Sequence, residues 1–428
     1  YNTKSNCVLE KVVLPEGMST IYTKAFYSAC ANEVVVPSTV NTIQKQAFYS
    51  CYVETITFAD GGKDKLTIES GVSTKYDDGA FTNCYNLKEI VLPERTESIG
   101  DYAFYSGSLS KLTRVVIPST VTTIGKKAFA YAKSLTDVTI TDTEENKSQL
   151  TSIAEDAFYY DLALETVDLP DTLTEIGKQA FYSTAITELV IPANVTAIGA
   201  KAFYLCSKLE KVTFAKDSQL SVLTESVFDH CNKLVSVGTV KAVAENNVTT
   251  DKFVEGALPA GLTQIDQYAF RYANLTKVYI PVGVTSIGAY AFAYNDLEIA
   301  EFETRTEDGV QKSDISNIAG NAFEGTGLTA FTIPDTTAET LTIGKQLFKG
   351  CYALESLKIP ASVKRGLESA LDGCVSLKDV VIASANENYV AEDGVVYNKD
   401  KSTIVCLYAA PAVDENGVLT ITASNLAN

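Results

Sequence analysis

The residues with the most distinctive chemistry in this 428-residue sequence are nine cysteines and a single histidine, His230. Zinc sites require clustered Cys or His ligands, often at C-x-x-C spacing, and no two cysteines here have that spacing. One imidazole also leaves little scope for Ser-His-Asp triads or histidine acid–base catalysis. We therefore predict no metal site and no histidine-dependent enzyme, and we interpret His230 as a surface loop residue.

Carboxylates are the other abundant reactive groups. Asp and Glu number 53 against 35 Lys and Arg, a net charge of −18 that disfavours a nucleic-acid partner because phosphate backbones are repelled. A carboxylate pair could hydrolyse glycosidic bonds, but spacing singles out no such pair. The acidic segments 60–64, 142–145 and 301–308 are typical of solvated loops, and none matches the twelve-residue calcium loop, so calcium binding there stays open.

Sequence motifs for cofactors and for membrane spans are absent as well. The sequence contains no Gly-rich phosphate loop and no G-x-S-x-G nucleophile elbow. It also contains no run of 18 apolar residues. We predict no catalytic residue, no cofactor and no transmembrane segment.

The elements that position these side chains follow from an internal repeat. The block LETVDLPDTLTEIGKQAF at 164–181 recurs with changes at 186–203 and 275–292 and fits the template L-x-x-V-x-[IL]-P followed by I-x-x-x-A-F. Leu371 takes the place of the last aromatic residue in one repeat. The motif Phe positions are Phe26, Phe48, Phe81, Phe104, Phe129, Phe158, Phe181, Phe203, Phe228, Phe270, Phe292, Phe323 and Phe348.

Each repeat predicts one coil of a solenoid. Its first half is rich in β-branched residues and stops at Pro, which indicates a short strand. Its second half places Ala beside Phe, where a small residue lets the chain turn tightly next to a large ring. One repeat cannot bury its own Phe, so we expect about fifteen coils to stack, with Phe over Phe and strand beside strand.

These motifs resemble the leucine-rich repeats of the BspA-like, or treponemal, type, whose consensus runs L-x-x-I-x-L-P followed by I-x-x-x-A-F-x-x-C. The resemblance covers Leu9 to about Tyr408. It implies a leucine-rich-repeat solenoid of the α/β class, with short parallel strands in a curved sheet and turns or short helical segments opposite. It also implies a secreted or surface-attached bacterial protein that adheres to host proteins, host cells or other bacteria.

The domain organisation departs from the repeat at a few places. We predict a solenoid over residues 1–408, with a degenerate coil or inserted loop at about 238–256 and a hairpin-like coil at 393–408. Residues 409–428 read as the start of a further repeat or a linker. Because half-repeats stand at both ends, the first of them from Cys7 to Pro15, we expect the chain to be a fragment of a longer protein.

Most cysteines share one position in the repeat. Cys51, Cys84, Cys206, Cys231, Cys351 and Cys374 each lie three residues after the motif Phe or its Leu371 substitute, and Cys30 lies four after Phe26. This register favours buried free thiols that line up from coil to coil. The alternative is disulfide bonding between adjacent coils, as in Cys30–Cys51, Cys206–Cys231 or Cys351–Cys374.

Two sets of side chains are candidates for ligand contact. Tyrosines follow many of the motif Phe residues; we interpret them as a cover over the edge of the core, and the alternative is a binding ribbon. The strand positions that point away from the core form a Val/Thr row beside a row of alternating charge. From these rows we predict the ligand-binding residues Arg114, Asp137, Glu188, Lys211, Lys277 and Tyr279.

The function predicted from these patterns is non-catalytic. We predict a monomeric, extracellular or surface-located binding module of a bacterial protein, whose partner is a protein or a glycan. The alternatives are a structural spacer that displays another domain and, from the abundant carboxylates, a glycan hydrolase.

Overall fold

The computed structural model describes residues 9–71, 78–107, 110–245 and 248–408. The chain divides into two compact units, Tyr1–Glu210 (unit 1) and Lys211–Asn428 (unit 2). Both are β-solenoids, with about 16 turns in total, parallel strands and almost no helix, which confirms the predicted solenoid of about fifteen coils. The predicted repeat at 409–428 and the residue Cys7 lie outside the described residues.

In unit 1, the first half of each repeat forms a strand, and all of these strands except β15 pair in one parallel sheet. The strands β3, β9 and β15 each end directly before a proline, as the repeat predicts. The pairing order is β1-β3-β5-β7-β9-β11-β13. The strands are β1 Leu9–Val13, β3 Ala31–Val36, β5 Thr55–Phe58, β7 Glu89–Val91, β9 Arg114–Ile117, β11 Asp137–Ile140, β13 Thr166–Val167 and β15 Glu188–Ile191.

The second half of each repeat in unit 1 opens with a shorter strand. These strands form an eight-stranded parallel sheet in the order β16-β14-β12-β10-β8-β6-β4-β2, and their isoleucines stand opposite one another, as in Ile43 and Ile68. They are β2 Thr20–Ile21, β4 Thr42–Ile43, β6 Leu66–Ile68, β8 Thr96–Ile99, β10 Thr123–Ile124, β12 Ser152–Ile153, β14 Glu175–Ile176 and β16 Ala197–Ile198.

The core of unit 1 contains the predicted ladder of phenylalanine rings. Neighbouring rings from Phe26 to Phe203 are stacked, with centroids 4.7 to 5.3 Å apart and ring planes within 13° of parallel. Phe181 has no exposed surface. Each ring therefore completes the burial of the ring in the next coil.

A tight turn presents each ring to its neighbour. Around Phe181, the residues Gln179 and Ser183 adopt left-handed conformations with φ of 55° and 58°, and the fully buried Ala180 lies between the first of them and the ring. The N–H groups of residues 179, 181 and 183 donate to carbonyl oxygens of the next coil at 3.1, 2.8 and 2.8 Å. Buried backbone donors are thus satisfied by the neighbouring coil.

Unit 2 repeats this architecture. Its motif rings stack from Phe228 to Phe348, with centroid separations of 5.4 to 6.0 Å. The first-half strands are β17 Lys211–Phe214, β19 Ser236–Glu245, β22 Lys277–Ile280, β24 Ile299–Phe302, β28 Ala330–Thr332, β31 Ser356–Ile359 and β32 Asp379–Ile382. The second-half strands are β18 Val222–Leu223, β21 Gln264–Ile265, β23 Ser286–Ile287, β27 Asn317–Ile318 and β30 Thr342–Ile343. One 3-10 turn, Leu367–Ser369, is also present.

Inserted antiparallel strands distinguish unit 2. The segment at about 238–256 is a hairpin, in which β20 Val248–Glu255 returns along β19. A second insertion forms β25 Arg305–Glu307 and β26 Val310–Ser313, and β26 pairs with β29 Asp335–Thr336. The segment at 393–408 contributes to a three-stranded sheet of β33 Tyr389–Glu392, β34 Val395–Asn398 and β35 Ile404–Leu407.

Within the described ranges, no helix has the length and apolar character needed to cross a bilayer.

Replacing Phe181 with Ala should lower the free energy of unfolding by about 3 to 5 kcal/mol, because it opens a cavity between two stacked neighbours. Denaturant-induced unfolding, followed by far-ultraviolet circular dichroism, measures this change. The exposed Val190→Ala on β15 is the control and should change stability by less than about 0.5 kcal/mol. Equal, small effects of both substitutions would contradict the ring ladder.

Candidate binding surfaces

The outward face of the large sheet in unit 1 carries a row of charged residues in strand register. Arg114 on β9 stands between Glu89 on β7 and Asp137 on β11. Its guanidinium contacts the Glu89 carboxylate at 2.5 Å and the Asp137 carboxylate at 3.0 Å. Hydrogen bonds to Glu89 and then Asp137 raise the pKa of Arg114. The structure therefore brings two predicted residues together as an ion-pair network that links three coils.

Beside the charged row lies a row of valines and threonines. Val13 stands opposite Val35, and Val91 stands opposite Val116. Val13 is 63 % exposed, Val91 48 % and Val190 56 %, so the row is open to solvent. Glu188, another predicted residue, is exposed on the same strand as Val190. The face thus offers apolar contacts next to a row of charged residues, in which Arg114 is paired with two carboxylates.

In unit 2, three predicted residues are instead engaged by the inserted hairpin. The Lys211 ammonium lies 4.6 Å from the centroid of the Phe253 ring. Lys277 pairs with Glu255 at 2.7 Å, and this contact raises the pKa of Lys277. The N–H of Tyr279 donates to the carbonyl oxygen of Gly256 at 2.7 Å. This arrangement was not predicted from the sequence, because the residues of a hairpin do not indicate which part of the fold the hairpin packs against.

Gly256 is required at the end of that hairpin. Its φ is +84°, and a Cβ there would lie 3.0 Å from both the Lys277 Cγ and the Tyr279 Cδ2. A side chain at residue 256 would therefore displace two of the predicted ligand-binding residues.

The cysteines that lie three residues after the motif Phe form a ladder that hydrogen-bonds to the backbone. Thiols donate to the carbonyl oxygen of the motif Phe in the preceding coil, as from Cys84 to Phe48 at 2.9 Å and from Cys206 to Phe181 at 3.2 Å. Burial raises the pKa of Cys206 to about 11. The Cys206 thiol therefore stays protonated at neutral pH and acts as a hydrogen-bond donor.

The predicted free thiols are confirmed for most of the ladder but not for Cys30. The free cysteines are Cys51, Cys84, Cys206, Cys231, Cys351, Cys374 and Cys406. The prediction is wrong for Cys30, which is disulfide-bonded. The alternative pairings Cys30–Cys51, Cys206–Cys231 and Cys351–Cys374 are not formed, because at least one partner of each is a free thiol.

Other residue types use the same position, three residues after the ring. The Asn295 side chain donates to the carbonyl oxygens of Phe270 and Phe292 at 2.7 and 2.9 Å. Asp161 is fully buried, its Oδ1 accepts the N–H of Ala132 at 2.8 Å, and its Oδ2 has no partner. Burial raises the pKa of Asp161 well above its usual range, so the neutral carboxyl is favoured.

The tyrosines stack along one flank of each unit. Tyr182 lies between Tyr159 and Tyr204, with centroid separations of 4.8 and 5.0 Å. Burial, followed by the neighbouring tyrosines, raises the pKa of Tyr159 and of Tyr182 to about 12. These rings are half-buried against one another, which fits a cover over the edge of the core.

A cavity of about 690 Å³ interrupts this flank in unit 2. Tyr272 and Tyr294 stack at 4.6 Å, but the same repeat position in the next three coils holds Gly325, Gly350 and Gly373. These glycines line the cavity together with the exposed ring of Tyr352. This cavity was not predicted from the sequence. Its signal was the glycine that three successive coils carry two residues after the motif Phe or its Leu371 substitute.

A second opening lies in the large sheet of unit 2. Strands β24 and β28 occupy neighbouring coils but belong to different sheets, and a cavity of about 550 Å³ is lined by residues of both. The second-half strands β23, β27 and β30 remain paired through the same coils. The opening therefore separates the first-half strands of these coils, while their second-half strands stay paired.

His230 lies at the surface as interpreted from the sequence. Its Nδ1 is 2.8 Å from the Asp229 carboxylate, which also binds Arg271, and its ring lies 4.8 Å from Tyr272. In the part of the chain that the structure describes, no three His, Cys, Asp or Glu side chains are grouped to hold a metal ion.

A family model described as a BspA type leucine-rich repeat region, in six copies, matches residues 2–136, 144–249, 241–313 and 305–401. These ranges cover most of the sequence and coincide with the coils described above. No curated protein sequence matches the chain.

Several solved structures are similar to the chain. A leucine-rich repeat protein from Bacteroides ovatus is 21% identical, with a TM-score of 0.47, over 88% of this chain and 92% of that chain. A leucine-rich cell surface protein from Faecalibacterium prausnitzii is 28% identical, with a TM-score of 0.38, over 76% and 89%. The pneumococcal vaccine antigen PcpA is 18% identical, with a TM-score of 0.39, over 91% and 83%.

Replacing Asp161 with Asn should flatten the dependence of stability on pH. Above about pH 4, the ordinary pKa of an unfolded Asp, unfolding of the wild type releases a proton, so its free energy of unfolding falls as pH rises towards the raised native pKa. The Asn variant lacks this loss, with a slope difference of at most about 1.4 kcal/mol per pH unit, and should be the more stable protein at neutral pH.

Denaturant unfolding at about pH 5 and about pH 8 tests this prediction. The exposed Asp168→Asn is the control for the same chemical change and should leave the slope unaltered. A wild type and an Asp161→Asn variant with parallel pH profiles would show that Asp161 ionises normally in the fold.

Proposed function

The chain belongs to the BspA-type leucine-rich repeat family, and on that premise we propose that it is an extracellular binding module of a bacterial surface protein. Solenoids of this family are binding or structural modules and are generally non-catalytic. The proposed ligand is a protein or a glycan held on the outward face of the large parallel sheet in unit 1.

The observation that carries this proposal is the open Val/Thr row on that face. Val13 on β1 and Val91 on β7 expose 63 % and 48 % of their surface, and Val190 on β15, which is not paired into this sheet, exposes 56 %. Adjacent strands lie about 4.8 Å apart, so a ligand laid across the row would meet a new side chain at each coil. Extended faces of this kind offer a large contact area, on which a few residues supply most of the affinity.

The neighbouring charges favour a selective surface. Arg114 is already paired with Glu89 and Asp137, so the row carries oriented charge while Arg114 is not left without a counterion. Charged groups at the rim of a contact act mainly on partner choice and association rate. We therefore assign affinity to the Val/Thr row and selectivity to the charged row.

Val91→Glu should weaken ligand binding by about tenfold or more, about 1.4 kcal/mol, because it buries a charge in the centre of the contact. The measurement is binding of the purified chain to an array of glycans and to immobilised extracellular-matrix proteins. Thr123→Glu adds the same charge at an exposed position of the second sheet and should leave binding unchanged.

Two outcomes would count against the proposal. If wild-type protein retained no ligand on either array, the structural spacer would be the better account. If Thr123→Glu weakened binding as much as Val91→Glu, the ligand would not be held on the large sheet.

A further inference from the structure

Two thiols in unit 1 lie in direct contact. The sulfur atoms of Cys51 and Cys84 are 3.1 Å apart, both residues are buried, and they belong to neighbouring coils. We propose that Cys51 and Cys84 form a disulfide that covalently joins these coils when the protein meets a peroxide oxidant. This modification goes beyond the proposed binding function and does not depend on it.

The repeat places these sulfur atoms together. Both cysteines lie three residues after a motif Phe, and the rings of Phe48 and Phe81 stack at 4.9 Å. Elsewhere in the ladder, a thiol also contacts a hydroxyl group at the same position of the preceding coil. Thr184 Oγ1 lies 3.2 Å from the Cys206 sulfur, and Thr326 Oγ1 lies 3.2 Å from the Cys351 sulfur. The ladder geometry is shared, but the Cys51–Cys84 contact supplies two oxidisable atoms.

Little movement is needed for the bond to form. A disulfide S–S bond is about 2.05 Å long, so the two sulfur atoms must approach by roughly 1 Å. Cys84 currently donates to the carbonyl oxygen of Phe48 at 2.9 Å, and this weak hydrogen bond is lost on oxidation. The disulfide would therefore replace this hydrogen bond as the contact that Cys84 makes with the preceding coil.

The two thiols have different acidities. The hydrogen-bonded contact with Cys84 lowers the pKa of Cys51, and burial raises the pKa of Cys84. Because the thiolate is the nucleophile, Cys51 is the sulfur that reacts first. Cys84 is then the resolving thiol.

The electrons and atoms balance with one molecule of hydrogen peroxide. The Cys51 thiolate attacks a peroxide oxygen, the O–O bond breaks, and Cys51 becomes a sulfenic acid while the departing hydroxide takes up the thiol proton as water. The Cys84 sulfur then attacks the Cys51 sulfur, the S–O bond breaks, and a second water leaves with the Cys84 proton. The two thiols lose two electrons, and the peroxide is reduced to two waters.

The preceding coil already contains oxidised sulfur, because Cys30 is disulfide-bonded. Disulfides persist in oxidising compartments. A disulfide between Cys51 and Cys84 is therefore compatible with the oxidised state of Cys30.

Peptide mass spectrometry tests the proposal directly. The reduced chain is treated with hydrogen peroxide, unfolded, alkylated with iodoacetamide and digested with trypsin. We expect a cross-linked species of peptides 46–63 and 76–88, lighter by two hydrogen atoms than their sum.

Substitution separates the bridge from non-specific oxidation. Cys84→Ser should abolish the cross-linked species and leave no second peptide bound to Cys51. It should also remove the peroxide-induced rise in melting temperature that the bridge produces in the wild type, since a cross-link restricts the unfolded chain.

A second arm removes the barrier of burial by refolding the reduced, unfolded chain in the presence of peroxide. The proposal is overturned if both arms leave Cys51 and Cys84 alkylated, or if Cys51 is recovered as sulfinic acid without a link to Cys84. It is also overturned if either cysteine is found joined to a different one.

Discussion

The structure depends on contact between each coil and the next through the motif phenylalanine. One ring cannot be buried by its own repeat, and stacking at 4.7 to 5.3 Å in unit 1 supplies the missing cover. The same turn sends its backbone N–H groups into carbonyl oxygens of the neighbouring coil. The stacking of each coil on the next therefore both buries the apolar ring and supplies partners for the backbone N–H groups.

Nearest-neighbour stacking explains why insertions are tolerated. The hairpin of β19 and β20 and the insertion of β25 and β26 leave the ring ladder of unit 2 intact, and Phe292 still stacks on Phe323 at 5.4 Å. The large sheet opens between β24 and β28 at that point, yet the second-half strands stay paired. The solenoid keeps the stacking of its motif rings, and its large sheet is interrupted between strands.

The position three residues after the ring illustrates how one site accepts different chemistry. Cys84, Asn295 and Asp161 all occupy it. Each forms a hydrogen bond with a backbone carbonyl or N–H group of an adjacent turn. A thiol or an amide is neutral, so its burial does not require the burial of a charge. A carboxyl avoids that penalty only when it is protonated. The outward face is free of these demands, because Val91 and Arg114 are not required by the core.

The sequence by itself determined the coil, the ring ladder and the burial of most cysteines, because each follows from residue spacing within a single repeat of 22 to 25 positions. It also placed Arg114 beside Asp137, since both hold the same position in consecutive repeats. Only the tertiary structure decided that Lys211, Lys277 and Tyr279 meet a hairpin and that Cys30 is oxidised. Periodicity specifies contacts between equivalent positions, whereas an inserted segment is placed by the packing of non-equivalent ones, and no spacing in the sequence encodes where such a segment folds back.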